Sequence, residues 1–157
     1  MKKITIFVDV QNVYYTTRSA FKKHFDYNAF WAQIAAQGNI TQAIAYATTR
    51  GDEKQKQFQN ILRGIGFEVK LKPFIQRSDG SAKGDWDVGI AVDMMELAAD
   101  SDKMILVSGD GDFDILVSRI QHRYQIPVEV YGVSELSAAS LQQAASRFTA
   151  IDSTLLL

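Results

Sequence analysis

The segment Ser108-Gly109-Asp110-Gly111-Asp112-Phe113-Asp114 sets three aspartates at alternate positions directly behind the apolar run Met104–Val107. Two unit charges 4 Å apart repel by about 4 kcal/mol at an effective dielectric near 20. A cluster of carboxylates is therefore costly unless it is protonated, splayed apart or neutralised by a cation. Asp9 closes a second apolar run, and Asp87 and Asp93 follow in KGDWDVGIAVDM. Hard oxygen donors without Cys or a His pair point to Mg²⁺ or Mn²⁺. The competing reading is that Asp110 and Asp112 cap the helix that follows, and Asp87 near the start of its own helix is open to the same reading. Asp93 shares a helix face with Ile90 and Leu97, which turns it toward packed surface, where an ionised carboxylate needs a partner. A satisfied structural aspartate and a site residue both remain open there.

Other chemistries are excluded by spacing. Counted from Asp110, the sixth and twelfth positions of an EF-hand loop would be Gly and Glu, but they are Ile115 and Gln121. A phosphate-binding GxxxxGK[ST] loop is missing, and the histidines, His24 and His122, form no HExxH pair. A cysteine count of zero removes disulfides, Cys-ligated zinc, iron–sulfur clusters and thiol catalysis. A Toprim-like site also places Asp-x-Asp after a strand, but begins with Glu where this chain has Asp9.

These carboxylates need elements to position them. Ile4–Asp9 reads as a buried strand, followed by a helix from Tyr14 to Lys23 capped by Asn12. Tyr27–Ala36 reads as a helix stopped by Gly38, and Ile40–Ala47 as the next strand. Phe58, Ile61, Leu62 and Ile65 recur at helical spacing behind Asp52 and Glu53, with Gly66 placed to end the helix. Phe67–Leu71 reads as a strand closed by Pro73, then an exposed loop Gln76–Gly84, then a helix Trp86–Ala99. Trp86, Met94 and Met95 read as core. Met104–Val107 is a strand, Phe113–Tyr124 a helix and Pro127–Tyr131 a strand, and a last helix capped by Ser134 or Ser137 reaches Phe148. Apolar strands alternating with helices imply an α/β fold, a three-layer α/β/α sandwich with a mainly parallel central sheet. In such sheets ligands bind outside the carboxyl ends of the strands near a switch in strand order. Asp9 and Asp110 both occupy strand ends of that kind.

Length and composition agree. A chain of 157 residues, 46% hydrophobic, has room for one domain, taken as 1–157. The opening MKKITIFVDV breaks at Asp9, too early for an export signal or a membrane span, so a cytoplasmic protein with no membrane contact is expected. The net charge of −1 hides two blocks: eight basic against four acidic residues between Arg50 and Lys83, then nine acidic against one basic between Asp85 and Asp114. They are either two solvated faces or an acidic cation site beside a basic anion-binding surface. Tyr14 and Tyr15 fit either core or rim packing or stacking on nucleic-acid bases. The sequence shows no exposed apolar stripe that demands an oligomer.

The set FVDVQN (7–12), KGDWDVGIAVDM (83–94), LVSGDGDF (106–113) and SAASLQQAASRF (137–148) resembles the NYN domain family, in its LabA-like bacterial branch, within the PIN-like nuclease superfamily. The resemblance runs nearly the full length and rests on the order and context of its motifs. It implies a PIN-like fold whose acidic residues hold one or two Mg²⁺ or Mn²⁺ ions and cleave RNA phosphodiesters. Carried over position by position, Asp9, Asp87, Asp110 and Asp112 are the core catalytic and metal-holding set. Asn12, Asp93, Asp114 and Ser108 support them. Lys83, Arg77, Arg18 and Lys22 would hold the backbone of a single-stranded or structured RNA without reading its sequence. Pairing into a homodimer is also expected from the superfamily. Two departures stand out: Ser146 lies two positions before Phe148, where the family often carries Asp before its last Phe, and Trp86 replaces a small apolar residue. The LabA-like branch also leaves a second reading open, a non-catalytic RNA- or metal-binding regulatory module.

Overall fold

The computed structural model describes residues 1–73, 75–76, 82–83 and 85–157, with 75, 76, 82 and 83 described as backbone. Six parallel strands make the central sheet: β1 (Lys3–Asp9), β2 (Asn39–Thr49), β3 (Glu68–Pro73), β6 (Lys103–Val107), β7 (Val128–Gly132) and β8 (Arg147–Ala150). Their spatial order is β3-β2-β1-β6-β7-β8. Strand order therefore reverses at β1/β6, where the chain leaves β1 toward one edge and returns at β6 to build toward the other. This is the switch point at which a crevice opens beyond the strand ends. A short antiparallel pair, β4 (Ile75–Gln76) with β5 (Ala82–Lys83), replaces part of the loop read from sequence over Gln76–Gly84, of which residues 77–81 and 84 are outside the described residues.

Alternation along the strands builds two cores. Ile4, Ile6 and Val8 of β1 join Ile105, Val107, Phe30, Ile34 and Leu62 on one face, under α1 (Val10–Phe21), α2 (Tyr27–Ala35) and α3 (Glu53–Ile65). Phe7 points the other way, with Leu106, Val130, Ile90, Met94, Val117 and Leu141, under α4 (Asp87–Leu97), α5 (Asp114–Tyr124) and α6 (Ala139–Ala144). Covering both faces is what all-parallel strands require, and it gives the three layers read from the sequence. Among the described residues no helix is long and apolar enough to cross a membrane.

Helix boundaries follow from capping. Asp26 and Asp52 accept the backbone N–H of Ala29 and Gln55 at 3.0 and 2.8 Å, and Gly66 ends α3 at φ +137°, a conformation that glycine adopts without strain. In α1 the hydroxyls of Thr16 and Thr17 turn back onto the carbonyls of Asn12 and Val13 at 2.8 Å, which lets two polar residues be buried.

Several expectations change. Asp9, not Asn12, caps α1, so the helix begins at Val10, immediately behind β1. The last helix does not reach Phe148: it ends at Ala144, Ala145 turns extended, and residues 147–150 add β8 to the sheet, pairing Val130 with Phe148. That strand covers what would otherwise be an open edge of β7. In α3 Ile61 is 57% exposed and Gln59 5%, because the buried face is rotated from the one its apolar spacing marks. Met95 is not core: with Val88 and Val92 it forms an exposed apolar stripe along the outer side of α4. Tyr14 and Tyr15 are likewise exposed.

Candidate metal centre

At the switch point three carboxylates from three elements converge. Asp9 at the end of β1, Asp87 in the first turn of α4 and Asp110 behind β6 each bring one oxygen to within 4.8 Å of the other two. All three are half-buried. Among the described residues the ion pairs are Lys70–Asp93 and Lys103–Glu129, and neither reaches this notch.

The backbone around the notch is tightly specified. Ser108 is fully buried, donates its hydroxyl to Asp9 Oδ2 at 3.0 Å and accepts the Asp110 N–H at 3.2 Å. Asn12 Oδ1 accepts the Gly109 N–H at 2.9 Å, which ties the first turn of α1 to the end of β6. A Cβ on Gly109 would meet Ser137 Oγ at 2.7 Å and the Leu136 carbonyl at 3.0 Å, and one on Gly111 would meet the Ala138 Cβ at 2.8 Å. The glycines of Ser108–Asp114 are thus needed for close approach of the segment before α6. That contact, with the Ala138 N–H on the Gly109 carbonyl at 3.0 Å, gives the closing motif a supporting role in shaping the notch.

Asp87 is set by a clamp built on β2 and β3. The Trp86 indole N–H donates to the Ala47 carbonyl at 2.9 Å, its ring packs on Tyr46 at 5.4 Å, and Lys72 Nζ sits 4.4 Å from the ring centroid. Lys72 also donates to the Asp85 carbonyl at 3.2 Å. Gly89 completes the seat: a Cβ there would lie 2.6 Å from the Trp86 ring. Nothing in the sequence assigned Lys72 or Tyr46 to this task. The signal for Lys72 is the strand period, since Lys70 and Lys72 are two apart on β3 and both engage the α4 segment.

The electrostatics separate the aspartates. Burial pushes the Asp9 carboxyl up from 3.8 to about 6, the Ser108 and Asn12 hydrogen bonds hold it back, and the charges of Asp110 and Asp85 raise it further. Burial, the charge of Asp110, a hydrogen bond with Asp110, and then Asp85 and Asp9 push Asp87 to about 7. Asp85 was not singled out from sequence, although its place two before Asp87 puts it beside the notch, where its Oδ1 accepts the Asp87 N–H at 3.2 Å. Asp93 is elsewhere, accepting the Tyr46 hydroxyl and Lys70 Nζ, both at 2.7 Å, on Oδ2. Asp112 is exposed on the rim with its N–H on Asp110 Oδ1 at 2.9 Å, and Asp114 accepts the Ile115 N–H at 2.6 Å; neither belongs to the converging trio. Arg18 and Lys22 are exposed on and just beyond α1. Arg77 and the Lys83 side chain lie outside the described residues.

The donor set fits a divalent cation. Three hard oxygens lie close together, and two of them belong to carboxyls that their surroundings make reluctant to ionise without a counter-charge.

Comparison with known proteins bears on the family and the fold. The model of the NYN domain family matches residues 3–152. The low amplitude and bright protein LabA of Synechococcus elongatus is 26% identical over 154 residues, covering 93% of this chain and 82% of LabA. A crystal structure of a protein of unknown function from Vibrio parahaemolyticus superposes with a TM-score of 0.94 at 58% identity, over 99% of this chain and 96% of that one. A carbohydrate kinase from Agrobacterium tumefaciens, 16% identical, has a TM-score of 0.51 over 92% of this chain and 58% of its own, a likeness of fold alone.

Proposed function

The chain belongs to the NYN domain family, and on that premise we propose that it is a single-domain, cytoplasmic, metal-dependent ribonuclease that hydrolyses RNA phosphodiester bonds. The observation that carries this reading is the convergence of Asp9, Asp87 and Asp110 at the switch point without a cationic partner among the described residues. These three residues would hold Mg²⁺ or Mn²⁺, with Asp112 completing the acidic set on the rim. A divalent ion there would supply charge neutralisation at the phosphate and a water acidic enough to attack at neutral pH.

The chain's own residues do the rest. Ser108 and Asn12 hold Asp9 and the Gly109 backbone in register, so two carboxylates from distant parts of the chain keep one spacing. The Trp86 clamp supports Asp87 from the third side, and Asp93 acts through the same helix by fixing α4 to β2 and β3. Asp114, in the first turn of α5, adds negative charge beside the rim. Lys83, Arg77, Arg18 and Lys22 would grip the RNA backbone by charge.

The test is cleavage of labelled single-stranded RNA, duplex RNA and single-stranded DNA in Mn²⁺, Mg²⁺ or EDTA, run beside Asp110→Asn. RNA cleavage that needs metal and disappears in the variant supports the proposal. No cleavage by the parent, together with metal-dependent stabilisation, would replace it with the non-catalytic metal- or RNA-binding module.

A further inference from the structure

The three aromatic side chains that are exposed among the described residues all lie on one helix. Tyr14 is 49%, Tyr15 70% and Phe21 39% exposed, and all belong to α1. The other Phe, Tyr and Trp rings whose burial is described are at least partly buried. Among the described residues Tyr15 and Phe21 make no ring contact, and all three water-facing rings are confined to one twelve-residue helix.

Their neighbours give the surface a charge. Between Val10 and Phe25 there is no acidic residue, while Arg18, Lys22, Lys23 and His24 are all exposed. Helical spacing sorts the exposed positions into two adjacent rows: Gln11, Tyr15, Arg18 and Lys22, and beside it Tyr14, Arg18 and Phe21. Rings and cations therefore alternate along the same face. Tyr14 is held from two sides, its ring stacked on His24 at a 5.9 Å centroid distance and its hydroxyl accepting from Arg18 Nη1 at 3.2 Å.

The face is continuous with the acidic notch. Asp9 caps α1, and Asn12, in its first turn, bonds to Gly109. Tyr15 follows Asn12 by three residues and so lies on the same side of the helix, about one turn further from the notch.

We propose that Tyr14, Tyr15 and Arg18 of α1, with Lys22 at its C-cap, form a stacking platform for the unpaired bases of single-stranded RNA, leading the strand to the acidic notch. Charge selects a polyanion, and exposed rings select one with accessible π-faces, as unpaired bases have and a duplex, with its bases stacked inside, does not. This rests on the reading that the notch acts on RNA, and it adds which strand form is taken and what grips it.

The experiment is fluorescence anisotropy of a labelled single-stranded oligoadenylate in EDTA, where binding is read without cleavage. Tyr15→Ala should weaken binding roughly five- to 150-fold, the range for loss of one stacked base, while Tyr15→Phe stays within about twofold. Against an RNA with abasic residues, parent and Tyr15→Ala should bind alike, a coupling that a merely structural tyrosine would not produce. Arg18→Gln and Lys22→Gln should each lower the slope of log affinity against log salt by about 1. Equal RNA affinity for the parent and a Tyr14→Ala/Tyr15→Ala protein of unchanged melting temperature would overturn the platform and leave the cleavage proposal standing. So would an unchanged affinity accompanied by dissociation of a dimer in sedimentation, which would assign the face to a protein interface. No RNA binding by the parent at low salt would remove both.

Discussion

Asp87 and Asp93 lie six residues apart on one helix, and their surroundings differ in kind. Asp93 receives the Tyr46 hydroxyl and the Lys70 ammonium at 2.7 Å each, so its charge is matched inside the fold. Its effect on its neighbour is plain, since burial and the Asp93 carboxylate push the Tyr46 phenol well above its ordinary range. Asp87 faces Asp110, Asp9 and Asp85, and is driven up to about 7. A buried carboxylate with matched partners fixes structure. One held among other carboxylates is a cost to the fold, and such costs collect where a ligand repays them.

The largest effect that sharpens this contrast is on cleavage. Asp87→Asn should lower the RNA cleavage rate by more than about a hundredfold, because even outer-shell partners of a metal are worth 10–100-fold, whereas Asp93→Asn acts mainly on stability. Single-turnover rates of the two variants make the comparison. Next is the response to metal: Mn²⁺ at a hundred times its Kd should stabilise the parent by about 2.7 kcal/mol in denaturant titrations.

Asp93→Asn should cost about 1–3 kcal/mol, since it leaves the Lys70 charge and the Tyr46 hydroxyl poorly matched, and should lower the melting temperature with or without metal. Trp86→Phe removes the N–H to Ala47 and should cost about 1 kcal/mol. Gly89→Ala removes no partner but pushes on the Trp86 ring, so a weaker Mn²⁺ affinity by calorimetry in both proteins would show that the clamp sets Asp87.

A further effect is on pH. With Asp9 near 6 and Asp87 near 7, the metal-free folded chain keeps protons that the unfolded chain releases near 4. Metal-free stability should therefore fall as pH rises from about 4 to above 7, measured by urea titration. Mn²⁺ binding, which displaces those protons, should strengthen over the same range.

Much of this arrangement was legible in the sequence. Apolar runs ending in Asp9 and in Ser108–Asp110 located both strand ends, and parallel topology then brought the two carboxylates together. The partners of Asp93 were not legible, because Tyr46 and Lys70 lie 47 and 23 residues away and meet it only through the packing of α4 on β2 and β3. The same holds for β8. Its first two residues, Arg147 and Phe148, read as the tail of a helix because local pattern cannot register an edge that β7 offers only in three dimensions. Asn12 was read as a cap for a related reason: it stands near a helix start, but its side chain is taken by Gly109, 97 positions away.

If the notch is a carboxylate cluster made for a cation, removing one of its charges relieves the metal-free fold, and melting of Asp110→Asn in EDTA reads that relief. The substitution keeps an oxygen to accept the Asp112 N–H and removes one charge. The variant should melt above the parent in EDTA, and Mn²⁺ should raise the parent far more than the variant. A variant that melts below the parent, with Mn²⁺ shifting neither protein, would show that these aspartates are caps and would contradict a cation site.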